Sequence, residues 1–135
     1  MSGERYPVLW IGQVSVVTLP AEIDVTNADA TRDELLAVLS QGATLLVADM
    51  SKTVFCDSSG VSALVRVFRH AATSGAALRL VVSTPAVQRV LSITGVDRLV
   101  DVYPSVAASL AGPSGQAGPA WPDGATAKAD TDGGA

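Results

Sequence analysis

Cysteine is almost missing from this chain: Cys56 stands alone among 135 residues. A lone thiol closes no internal disulfide, so nothing calls for an oxidising compartment, and the cytoplasm is the expected location. Histidine is equally scarce, with His70 alone. One imidazole builds no Cys/His metal site and leaves little choice of base for a serine nucleophile. Aromatic residues make up 4% of the chain and apolar residues 48%, so a core must be assembled mainly from Val, Leu, Ile and Ala. No apolar run approaches the ~20 residues of a membrane-spanning helix. The start, Met1 to Arg5, lacks the basic-then-apolar order of a signal peptide. Basic residues are also short, 9 against 13 acidic ones, for a net charge of −4. Nucleic acid recruits a basic stripe and anionic membranes a basic patch, so neither is an expected partner.

What is present reads as one α/β domain followed by a tail. Tyr6 to Trp10 and Gln13 to Leu19 flank the tight-turn step Ile11-Gly12 and suggest a β-hairpin, ended by Pro20. Thr26 with Asp29 three residues on has capping-box spacing, and Ala28, Thr31, Leu35, Leu36 and Leu39 then recur at helical intervals up to Gly42. Ala43 to Ala48 is the continuous apolar run of a covered strand, left through an exit loop from Asp49 to Lys52. A short apolar patch, Val54-Phe55-Cys56, precedes a helix from about Ser59 to Thr73. Its inward stripe is expected to be Val61, Leu64, Val65, Phe68 and Ala72, with Arg66, Arg69 and His70 outside it. Ala77 to Val82 is a further strand. Thr84-Pro85 suits a helix start lined by Val87, Val90, Leu91 and Ile93 and stopped by Gly95. Leu99 to Tyr103 and Pro104 to Leu110 give a last strand and a last short helix.

Helices between successive strands imply right-handed crossovers and parallel pairing. The expected architecture is therefore a mixed, mainly parallel β-sheet with an N-terminal β-hairpin and about four helices packed on it, in residues 1–111. From Gly112 on, the composition shifts: half of the 12 glycines lie there, with Pro113, Pro119 and Pro122. Residues 112–135 cannot bury enough apolar surface to offset their ordering entropy and are expected to be a disordered tail. Trp121 is the one residue in it that could make a docking contact.

The informative stretch is Asp49-Met50-Ser51-Lys52-Thr53-Val54-Phe55-Cys56-Asp57-Ser58-Ser59-Gly60-Val61. A polar Asp57-Ser58-Ser59-Gly60 tetrad sits between an apolar strand end and an amphipathic helix. Ser58 falls where an N-cap belongs, and Gly60 in the first turn leaves room for a partner surface. First-turn amides and the positive end of the helix dipole favour an anion, so a phosphate on Ser58 would be tolerated there. Asp57 is placed to hold the loop and present Ser58. Cys56 reads as a small buried apolar residue. No Gly-x-Ser-x-Gly elbow, no Walker loop and no metal-ligand spacing accompanies the tetrad. A receiver domain phosphorylated on Asp49 would want a lysine after a late strand, and none stands there. The chain is not expected to be an enzyme.

This stretch resembles the STAS family, and within it the anti-sigma factor antagonists of bacteria. Asp49, Ser51, Phe55, Asp57, Ser58, Ser59 and Gly60 match that pattern, and Glu22-Ile23-Asp24 resembles the family's Glu-Leu-Asp stretch before the first helix. The resemblance spans about residues 7–110 and implies a STAS-like fold. It implies that Ser58 is phosphorylated by an anti-sigma factor that is also a serine kinase, with a phosphatase to reverse the change. Asp24, Asp57, Ser59 and Gly60 would form the partner-binding switch loop around Ser58. Bound to the unphosphorylated form, the anti-sigma factor would let go of a sigma factor. No cofactor is implied for this chain; ATP and magnesium would belong to the partner kinase. The alternative is a STAS interaction module in another signalling scaffold or in a lipid-transport complex.

Overall fold

The computed structural model describes residues 6–112. Apart from Gly112, the Gly/Pro-rich stretch expected to be disordered, Trp121 included, lies outside the described residues.

Two strands, β1 (Val8–Ile11) and β2 (Val14–Thr18), form the expected hairpin, with Gly12 supplying the positive φ of 62° that its tight turn requires. Three further strands, β4 (Leu45–Met50), β6 (Ala77–Val82) and β7 (Asp101–Tyr103), add in parallel to give a five-stranded sheet of order β1-β2-β4-β6-β7. The helices between them are α1 (Ala28–Ser40), α2 (Ser58–Thr73) and α3 (Pro85–Thr94). A four-residue α4 (Val96–Leu99) follows Gly95, and α5 (Val106–Ala111) ends the described chain. Among the described residues the helices number five rather than about four, because Val96 to Arg98, assigned to no element, join Leu99, the residue expected to begin the last strand, in α4. Gly95, at φ 83°, turns the chain directly into it.

One face of the sheet carries the main core. Val17, Leu46, Ala48, Leu78, Leu80 and Val82 meet Leu35, Val38 and Leu39 of α1, Leu64 and Val67 of α2, and Val87 and Leu91 of α3. The α2 stripe is rotated slightly from its expected position: Ala63, Val67 and Ala71 are buried, Val65 and Phe68 are half-buried, and Ala72 is exposed. On α3, Ile93 is 76% exposed rather than inward, because the helix turns the face of Val87 and Leu91, with Val90 half-buried beside them, to the core. Thr84 does stand at the α3 N-cap, but its hydroxyl donates to the Thr53 carbonyl instead of accepting from a helix amide.

The opposite face is covered on one side only. There α5 packs on β4, β6 and β7, and Val106 adjoins Val16, Val47 and Val81. Arg79, within the otherwise apolar β6, is 2% exposed on this face. Its guanidinium donates to the Ser109 carbonyl at the end of α5 and lies 5.5 Å from the Tyr103 ring centroid, so a charge inside a strand anchors the last helix.

Candidate functional site

Two short strands outside the main sheet build the site. Residues Glu22–Ile23 (β3) pair in parallel with Phe55–Cys56 (β5), with Ile23 opposite Cys56. The pairing extends in both directions. The Thr53 hydroxyl donates to the Pro20 carbonyl at 2.8 Å, the Val54 amide to Ala21 at 2.8 Å, and the Asp57 amide to Ile23 at 3.1 Å. From the other side the Ser83 hydroxyl donates to Ser51 and the Thr84 hydroxyl to Thr53. The loop leading to Ser58 is therefore held on both flanks. Asp24 follows Ile23 as Asp57 follows Cys56, which brings the two sequence-predicted carboxylates to neighbouring chain ends.

Asp57, not Ser58, caps α2. Its Oδ1 accepts from the Ser59 amide at 2.9 Å and from the Gly60 amide at 3.2 Å. A carboxylate at this position satisfies first-turn donors and complements the helix dipole, so it outcompetes the hydroxyl beside it. Ser58 becomes the first helical residue, exposed, and its side chain makes no hydrogen bond among the described residues. Ser59 is half-buried.

Gly60 has a different job from the expected one. It is buried, and a Cβ there would stand 2.6 Å from Cys56 Sγ and 2.8 Å from Ile23 Cγ2. The missing side chain makes room for the core under β3 and β5, not for a partner. Cys56 is buried as expected; burial, with the Asp57 charge adding to it, pushes its thiol up to about 11.

The Asp24 loop is ordered by its own polar groups. Asp24 Oδ1 accepts from the hydroxyl and the amide of Thr26, and these bonds hold its carboxyl below the usual carboxylate range. That engagement removes Thr26 from the capping role expected with Asp29. The α1 N-cap is Asn27, whose side chain turns back to the Asp24 amide and the Glu22 carbonyl.

Sequence reasoning missed the apolar rim. Val25 is 75%, Val54 55% and Phe55 49% exposed, on the same loops as Asp24 and Asp57. The available signal was an apolar residue within a polar turn (Val25) and a strand of two residues whose alternation turns Phe55 outward and Cys56 inward. Beside them, a cleft of about 310 Å³ opens between α1 and α2, lined by Val25, Arg32, Ser59, Ser62 and Arg66 among others. Arg32 is paired with Asp29 and Asp33, whereas Arg66 has no ion pair among the described residues. Among those residues no cluster of three His, Cys, Asp or Glu is arranged to hold a metal, and no helix is long and apolar enough to cross a membrane.

A sheet with one antiparallel edge, a two-stranded annex, and an aspartate-capped helix that presents a free serine together define a class. The STAS domain family model matches residues 8–109, and the chain belongs to that family. Three of the proteins it resembles are named anti-sigma factor antagonists. The anti-sigma-B factor antagonist of Bacillus subtilis is 29% identical over 86 residues, 64% of this chain and 78% of that protein. An anti-sigma factor antagonist from Mycobacterium paratuberculosis superposes with a TM-score of 0.72 at 28% identity, over 78% of this chain and 90% of that one. The anti-sigma factor antagonist SpoIIAA in its unphosphorylated form shares the fold, with a TM-score of 0.66 at 19% identity over 78% of this chain and 93% of that one.

Proposed function

We propose that this protein is an anti-sigma factor antagonist working by partner switching. With Ser58 unmodified, it binds an anti-sigma factor that is also a serine kinase and so frees a sigma factor. Phosphorylation of Ser58, with ATP and magnesium supplied by the kinase, ends the complex, and a phosphatase restores it. The cycle runs in the cytoplasm and needs no cofactor or catalysis by this chain.

The observation that carries the reading is the Ser58 hydroxyl: exposed, without a hydrogen bond of its own, and held at the start of a capped helix. A kinase meets no structural bond to break there. Asp24 and Asp57 stand on the adjoining loops, and Val25, Val54 and Phe55 give a partner apolar surface to cover. Phosphate adds about −1.5 to −2 charges and three acceptor oxygens. Asp57 already occupies the Ser59 and Gly60 amides, so the added charge stays largely uncompensated and faces the partner.

The test is calorimetric affinity for a cognate anti-sigma factor, with circular dichroism as the control for folding. Unmodified protein and Ser58→Ala bind; Ser58→Asp and the phosphorylated protein bind roughly 30- to 150-fold more weakly, equivalent to about 2–3 kcal/mol. Equal affinity in all four samples defeats the mechanism. Phosphate found by mass spectrometry on Ser59 instead moves the site.

A further inference from the structure

Arg66 is the cation left over at the cleft between α1 and α2. Across the cleft Arg32 is held by Asp29 at 3.2 Å and by Asp33 at 3.0 Å. Neither Arg66 nor Arg69, three residues further along α2, has an ion pair among the described residues.

Helical spacing puts both arginines on the face that Ser58 opens. Ser58, Ser62, Arg66 and Arg69 follow one another at intervals of four, four and three residues, and all four are exposed. The buried residues of the helix, Val61, Leu64, Val67 and Ala71 among them, lie on its other side. No acidic residue stands between Ser58 and Thr73, so α2 is a basic helix in a chain of net charge −4. At ~1.5 Å per residue, Arg66 and Arg69 lie about 12 and 17 Å along the axis from Ser58.

The serine thus stands between charges of opposite sign. Asp24 and Asp57 lie on the loops at the helix head, and Arg66 and Arg69 lie down its outer face. A partner lying along α2 from its head meets acid first and base second. Only a surface with the reverse order covers this stripe without setting like charges against each other.

We propose that Arg66 and Arg69 receive an acidic segment of the anti-sigma factor, which fixes the direction in which that partner lies along α2. This rests on the partner-switching reading and adds to it an anchor separate from Ser58. Phosphorylation requires Ser58 to reach the γ-phosphate of the kinase's ATP, so the acidic segment belongs about 12–17 Å from that phosphate on the partner's surface. The anchor is exposed and electrostatic. It acts mainly on the rate and orientation of encounter, and salt weakens it.

Charge reversal tests this, with calorimetric affinity and stopped-flow association measured for the full chain and a cognate anti-sigma factor. Arg66→Glu and Arg69→Glu are each compared with Arg98→Glu, which makes the same change in net charge. Arg98 is exposed on α4, at the end of the sheet where β7 begins, whereas the loop to Ser58 leaves the opposite end of the parallel strands. At ~0.05 M salt each α2 reversal should weaken binding about tenfold, chiefly through slower association, and the deficit should shrink several-fold by ~0.5 M. Arg98→Glu should bind like the unaltered protein, and Arg66→Gln, which loses charge without repelling, should fall between. Exchanging partner carboxylates at the stated distance for lysine should rescue the Glu variants, which a folding defect would not allow. Losses no larger than that of Arg98→Glu, or losses indifferent to salt and to the partner's lysines, overturn the inference and leave the Ser58 switch standing. Undiminished binding by Ser58→Asp, beside a rescuable loss at Arg66, defeats the switch and upholds the acidic contact. An unaltered protein that binds no anti-sigma factor overturns both.

Discussion

The Cα of Gly60 faces the Cys56 thiol so closely that a methyl group placed there would stand 2.6 Å from Sγ. The helix start, the annex strand β5 and, through Ile23, the Asp24 loop are packed as one unit through this contact.

Gly60→Ala should therefore destabilise the protein. In an exposed helix the change would gain about 0.5–1 kcal/mol from backbone entropy. Here overpacking wins, at a cost of roughly 1–3 kcal/mol, because Cys56 and Ile23 are themselves buried and have little room to yield. Chemical denaturation reads the sign directly. Adding Cys56→Ala should recover part of the loss, and the Ile23 contact should keep the recovery incomplete. A stabilised Gly60→Ala would refute the packing.

The two neighbours at the helix start should separate cleanly. Asp57→Ala removes the acceptor for two amides and should cost about 1 kcal/mol, within the ~0.5–2 expected of a lost cap. Ser58→Ala should leave stability within ~0.5 kcal/mol, because its hydroxyl holds nothing among the described residues. The reverse order in urea melts would return the capping role to Ser58.

The Cys56 thiol should react slowly. At pH 8 a thiol pushed up to about 11 presents roughly a hundredfold less thiolate than one at its ordinary value of 9.0, so alkylation of the native protein should trail the denatured chain by at least that factor. The pH dependence has a definite sign. Between these two values the folded state keeps a proton that the unfolded chain has lost, so stability from this group is whole below about 9.0 and is lost as pH rises to about 11. Against a Cys56→Ala reference, on the order of 2 kcal/mol should disappear over that window. A flat difference would contradict the buried neutral thiol.

Phe55 should matter to binding more than to folding. Half exposed on a two-residue strand, its ring is available to a partner, and truncated aromatic anchors commonly cost ~2 kcal/mol or more, about thirtyfold in affinity. Phe55→Ala should show that loss by calorimetry with an anti-sigma factor, with its melting transition nearly in place. Unchanged affinity would remove Phe55 from the interface.

The long elements were legible because their signals are internally repeated. Strand β6 lies where Ala77 to Val82 placed it, and Gly95 ends α3 in the left-handed conformation that only glycine adopts freely. Strands β3 and β5 were not legible: two residues carry no periodicity, and they exist because the loops before α1 and α2 pair with each other across the fold. The cap was misplaced by one residue because Asp57 and Ser58 are both good cap formers, and local sequence does not say which carboxylate or hydroxyl the turn will aim inward. Burial of Arg79 was hidden for a similar reason, since its acceptor is a carbonyl 30 positions further on. Around Ser58, the exposure of Val25, Val54 and Phe55 was not legible, because exposure belongs to the fold and not to the side chain.

The aspartate at the head of α2 has a consequence for what any reader of Ser58 must be. Removing the group that finishes the helix costs stability, so the surface around the serine keeps a carboxylate whether or not Ser58 is modified. Under the proposed switch, its two states would differ by degree, one anion or several, and not by polarity. A partner docking as proposed would meet that single carboxylate and could offer it a donor or a cation. What it would reject, under the same switch, is a second, bulkier anion at a helix start whose Ser59 and Gly60 amides Asp57 already holds.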